Sequence, residues 1–168
     1  MYKRQLSIYA TLALFPLTIF AGWLSDKVGR KPVVISGLLL GAIFIHPAFQ
    51  MLQVLSTQYL QTPDTSSSLI LIGLVLTCLS LALALVIGPQ TALLAELFPA
   101  KTRNSAATFP HNLAAGWIGG LLPLIVTWLN QKWDSDIAGL WYPTLFLAAG
   151  AIVAFMYLPE TRDNSLLD

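Results

Sequence analysis

The sequence predicts an all-α fold: a polytopic membrane helix bundle with five transmembrane helices. Composition gives the first reason. Of 168 residues, 56% are hydrophobic and only 10% are charged, whereas a soluble domain carries about 25% charged residues. The mean hydropathy of +0.71 agrees. Five separate apolar stretches give the second reason, each near the roughly 20 residues that a helix needs to cross a bilayer. The third is the absence of the period-two alternation that a strand would need, in a solvent that does not tolerate an open sheet edge.

The expected spans are about 6–24, 32–52, 69–94, 106–129 and 140–158. Pro16, Gly41, Pro47, Gly88, Pro89, Pro110 and Pro123 fall inside them. A membrane bundle accepts such residues because neighbouring helices satisfy the freed backbone groups. Four links join the spans, at 25–31, 53–68, 95–105 and 130–139, and a tail follows at 159–168. With the N-terminus outside, Lys27, Arg30, Lys31, Lys101, Arg103 and Arg162 face the cytoplasm, and Lys3, Arg4 and Lys132 face away. This six-to-three split of the nine basic residues favours N-out and C-in. A basic start before an apolar run also has the form of a secretory signal peptide. Here the run leads straight into the first link, and no clear small-residue cleavage site precedes Trp23.

The first link reads Gly22-Trp23-Leu24-Ser25-Asp26-Lys27-Val28-Gly29-Arg30-Lys31-Pro32. Glycine suits a tight turn of positive φ, Asp26 can cap a helix or pair with a basic neighbour, and Pro32 suits a first helical turn. The pattern resembles the G-x-L-S-D-x-x-G-R-K/R-P signature loop of the major facilitator superfamily, found between helices two and three and, more weakly, between eight and nine. The third link reads Glu96-Leu97-Phe98-Pro99-Ala100-Lys101-Thr102-Arg103. It resembles the E-L/M-F-P-x-x-x-R segment between helices ten and eleven of the metabolite:proton symporter family, whose members carry proline and betaine, citrate, 2-oxoglutarate and shikimate. Pro110-His111-Asn112 through Pro123 resembles helix eleven of that family, Gly139-Leu140-Trp141-Tyr142-Pro143 the start of helix twelve, and Pro159-Glu160-Thr161 its closing P-E-T element.

The resemblance implies the C-terminal portion of a facilitator, helices eight to twelve, in the cell inner membrane. It implies transport of a small organic solute of the organic-acid, amino-acid or betaine class by proton symport. The expected partners are that solute, protons, the lipid bilayer and the counterparts of helices one to seven. Two alternatives stand beside it: a truncated fragment or gene remnant that does not transport, and a sugar-porter-like facilitator, which also carries P-E-T but lacks the E-L-F-P link.

Residue roles follow the same resemblance. Gly22, Asp26, Gly29, Arg30, Glu96, Arg103 and Glu160 would form a conformational switch at the cytoplasmic face; the bland reading makes them solvated link charges worth little as isolated pairs. Gln90, His111 and Asn112 would bind substrate, and His111 could also relay protons, since imidazole titrates near neutral pH. Their bland role is interhelical hydrogen bonding, about 0.6 kcal/mol on average. His46 reads as structural. Gly116 and Gly120 form a small-xxx-small pair that predicts close helix packing, and Gly88-Pro89 predicts a kink in the third span. Trp117, Trp128, Trp133, Trp141 and Tyr142 suit the membrane interface.

Other classes are disfavoured. The net charge of +1 offers no basic surface for nucleic acid. Cys78 is the single cysteine, so no internal disulfide forms, and no metal-spaced His/Cys set, nucleophile elbow or phosphate-binding glycine loop occurs. The sequence therefore predicts no enzyme, no cofactor and no metal.

Overall fold

The computed structural model describes residues 2–61, 66–98 and 102–161. It contains α1 (Tyr2–Val28), α2 (Arg30–Gln61), α3 (Ser66–Leu97), α4 (Arg103–Leu113), α5 (Gly120–Lys132) and α6 (Trp141–Tyr157). A π-helical stretch, Ala114–Gly119, joins α4 to α5 in one rod, and a 3₁₀ turn, Ala138–Leu140, precedes α6. Five of these rods are long and apolar enough to cross a membrane. No strand occurs among the described residues.

Every expected span lies within one of these helical rods, except Leu158, which falls just beyond α6. Most helices overrun the expected limits because helix does not stop where apolarity stops. Residues 53–61, assigned to a link by their polarity, continue α2 without a break. They contain no glycine or proline, and Leu55 is buried there. The first link shrinks to a single residue. α1 runs to Val28 and α2 starts at Arg30, so only Gly29, at φ +119°, separates two helices. At the far end, Leu158 is extended, as the residue before a proline prefers, and α6 ends there.

α3 is the hub, packed against α1 on one side and α2 on the other, while α6 lies on α2. The core is made of small and medium residues: Ala21, Val33, Ala84 and Leu85 are buried together. Small residues permit this closeness. A Cβ added at Gly88 of α3 would lie 2.8 Å from the Gly22 nitrogen and 2.9 Å from Ala21 Cβ, both on α1. One added at Gly37 of α2 would lie 2.8 Å from Leu85 Cβ of α3. Association in lipid depends on such backbone approach, because lipid tails already solvate apolar side chains. Gly88-Pro89 therefore has a packing role. α3 runs through it as one helix, and Pro89 is fully buried.

The rod of α4, the π-helical stretch and α5 differs from the rest. Its membrane-spanning window has no buried residue. It is held mainly at its α5 end. There Asn130 Nδ2 donates to the Asp136 carbonyl at 3.0 Å, while its Oδ1 accepts from the Gly139 N–H at 2.6 Å. The close packing expected of Gly116 and Gly120 is not formed. A Cβ at Gly116 or Gly119 would meet nothing within 4 Å, and one at Gly120 would meet only the Ala115 carbonyl, at 3.9 Å. These small residues face outward, because no other helix among the described residues packs against them.

Candidate functional site

At one end of the bundle, three chain segments converge: the α1–α2 break, the C-terminal end of α3 and the segment after α6. Gly29 causes the first convergence. Its amide still bonds to the Ser25 carbonyl at 3.0 Å, closing the last turn of α1. Its positive φ then turns the chain straight into α2. Asp26 and Arg30, four apart, thus stand on opposite sides of the break and still pair, through Asp26 Oδ1 and Arg30 Nη1.

Arg30 is the centre. Its Nη1 also donates to Ser25 Oγ at 2.7 Å, its Nη2 donates to Glu96 Oε1 at 3.0 Å, and its Nε reaches both Glu96 oxygens at 3.3 Å. The fork geometry of guanidinium suits this bidentate contact. Burial separates the two acidic partners. The Glu96 side chain is 8% exposed and that of Asp26 61%. Glu96 Oε2 also accepts from Thr161 Oγ1 at 2.6 Å. The Ser25 hydroxyl donates to the Gly22 carbonyl at 2.7 Å.

Glu160 acts on the backbone. Its carboxylate accepts from the Arg30 N–H at 2.7 Å and the Lys31 N–H at 3.2 Å. A helix N-terminus leaves four N–H groups unpaired and carries partial positive charge. Gly29 offers no capping side chain of its own. Glu160, 130 residues further on, takes that place. The Thr161 N–H closes onto the same carboxylate at 3.1 Å. Glu160 and Thr161 therefore bind the end of α6 to α2 and α3 respectively.

The structure thus assembles Gly22, Asp26, Gly29, Arg30, Glu96 and Glu160 at one end. The side chain of Arg103, at the start of α4, lies outside the described residues. Sequence reading missed two members, Ser25 and Thr161, both completely buried. Each stands inside a quoted motif, and a hydroxyl beside motif charges was the available signal.

The three expected substrate residues separate. Gln90 Nε2 and His111 Nδ1 are 3.3 Å apart and join α3 to α4. Asn112 is not part of that contact. It lies on an exposed face of the rod, beside Phe109, Gly116 and Trp117 in a shallow groove of about 610 Å³. His46 packs against Trp141 with ring centroids 4.7 Å apart, which ties α2 to the start of α6. Its buried Nε2 has no hydrogen-bond partner among the described residues.

Five apolar helices, with Asp26, Arg30, Glu96 and Glu160 brought together at one end, define a multi-pass membrane protein. The Major Facilitator Superfamily profile matches residues 5–167, and the chain belongs to that superfamily. Among relatives, it is 32% identical over 88% of its length to the ectoine/proline transporter ProP of Corynebacterium glutamicum. It is 30% identical over 87% to the inner membrane metabolite transport protein YhjE of Escherichia coli. With the glycine betaine/proline/ectoine/pipecolic acid transporter OusA of Dickeya dadantii it shares 28% identity over 86% of its length. The chain spans less than a third of each relative: 27%, 30% and 26%. No solved structure matches it significantly.

Proposed function

We propose that residues 1–168 are part of the C-terminal transmembrane domain of a twelve-helix solute transporter, the five spans being counterparts of helices eight to twelve. The cargo is a small organic solute of the proline, betaine and ectoine class, carried with protons across the cell inner membrane. Arg30, Asp26, Glu96 and Glu160, with Ser25 and Thr161, act as a latch at the cytoplasmic face. One observation carries this reading: three helix ends far apart in sequence meet through a buried Arg30–Glu96 pair. A contact of that kind can hold one arrangement of a bistable bundle and be absent from the other. The relatives' names support the solute class.

Gln90, paired to His111 across α3 and α4, is the proposed substrate contact. In a complete transporter containing this segment, Gln90→Ala is expected to raise the KM for proline or ectoine about fivefold, the worth of one net hydrogen bond near 1 kcal/mol. The maximal rate should change little. Radiolabelled uptake, corrected for membrane abundance, measures both, and an unchanged KM for every solute of the class would remove Gln90 from the site.

Orientation belongs to the same proposal, on the six-to-three basic split. Single cysteines at positions 68 and 105 are expected to react with an impermeant maleimide from opposite faces, 68 outside and 105 inside. Labelling of both from one face would overturn the topology.

A further inference from the structure

Beside the charge cluster lies an apolar groove of about 390 Å³. Val34 of α2, Leu93 and Leu97 of α3, and Val153, Ala154 and Tyr157 of α6 line it. Val153 and Tyr157 are exposed, at 56% and 74%. Lys31 precedes Val34 by one helical turn and therefore lies on the same face of α2. Its ammonium extends toward α6, 5.8 Å from the centre of the Phe155 ring. Among the described residues it meets no carboxylate at ion-pair distance. The nearby Glu160 carboxylate already accepts from the N–H groups of Arg30, Lys31 and Thr161.

We infer that this groove binds an anionic phospholipid of the adjacent leaflet, its phosphate on Lys31 and an acyl chain along Val34, Leu93 and Val153. The arrangement is an apolar channel running into the membrane from a cation at the headgroup level. It matches the two halves of a lipid in order, and basic sites between helix ends recruit anionic headgroups. The groove joins α2 and α3, which carry Arg30 and Glu96, to α6, which Glu160 follows by three residues, so an occupant braces the same helix ends that the latch joins.

Native mass spectrometry of the full 168-residue chain in detergent tests this, with phosphatidylglycerol and phosphatidylcholine of identical acyl chains as probes. The wild type is expected to retain phosphatidylglycerol about fivefold over phosphatidylcholine, since one basic residue at the headgroup level contributes about that factor. Lys31→Gln is expected to bring the two lipids to parity, and Lys31→Arg to keep the preference. Val153→Trp, which fills the groove, is expected to lower retention of both. Helical content by circular dichroism checks that each variant folds. Equal retention of the two lipids by the wild type would overturn the inference, as would an unchanged preference in Lys31→Gln. So would a severalfold rise in retention after deletion of residues 162–168, which would assign the groove to the chain's own tail.

Discussion

Glu96→Gln, made in a complete transporter that contains this segment, is expected to lower uptake per molecule at least tenfold while membrane abundance falls far less. The substitution is nearly isosteric, so packing is kept and Thr161 Oγ1 still finds an acceptor. What disappears is the charge opposite Arg30. Both side chains are largely buried, at 8% and 11% exposure. Removing one partner of a buried pair leaves the other charge uncompensated, which costs about 3–5 kcal/mol. A folded membrane bundle escapes most of that cost by leaving the latched state, in which Arg30 is buried, for one in which Arg30 is wet. Two functional states differ by a few kcal/mol, so this shift is enough to strand the transporter, with its cytoplasmic face open in the proposed orientation. Asp26→Asn is expected to do much less, threefold at most. Its side chain is 61% exposed, and exposed ion pairs contribute little. Uptake of radiolabelled proline or ectoine, alongside quantitative immunoblotting of membranes, separates rate from abundance. Normal uptake per molecule in Glu96→Gln would mean that the cluster only fastens helix ends, and the latch would be abandoned.

The second large effect is expected at Gly29, and on stability. Gly29→Val places a β-branched side chain at φ +119°, a backbone conformation that L-residues avoid. Its Cβ would stand 2.5 Å from Glu160 Oε2 and 3.0 Å from the carboxyl carbon. The carboxylate must move, and the cap on the Arg30 and Lys31 N–H groups is lost with it. Backbone strain of this type costs about 1–3 kcal/mol, and loss of a helix cap about 0.5–2 kcal/mol. The melting temperature of the detergent-solubilised protein should fall clearly for Gly29→Ala and further for Gly29→Val. A double-mutant cycle resolves the two causes. Combined with Glu160→Ala, Gly29→Ala should cost less than the sum of the single changes, because the clash partner has been removed, while the φ strain remains. Strict additivity would show that Gly29 and Glu160 do not communicate, and a Gly29→Ala protein as stable as the wild type would contradict the strain itself.

Three features were legible in the sequence because each is local. A run of apolar residues long enough to cross a bilayer must bond its own backbone, so the five helices follow from length and composition. Glycine before a basic pair marks the break between α1 and α2, since the chain reverses there at positive φ. The gathering of Asp26, Arg30, Glu96 and Glu160 at one end follows from counting alternate crossings. Tertiary structure decided the rest, because it depends on which distant segments touch. Helix periodicity gives no reason for Glu96 to be buried and Asp26 wet, and nothing near Gly29 announces that the missing cap arrives from Glu160, 130 residues away. Ser25 and Thr161 joined the cluster only once three helix ends closed over them. The glycines make the same point from packing. Gly116 and Gly120 have the spacing of a close contact and face open space, whereas Gly88 and Gly37 touch neighbouring helices at backbone distance. Spacing fixes which face of a helix is smooth, and only the neighbouring helix decides whether that face is used.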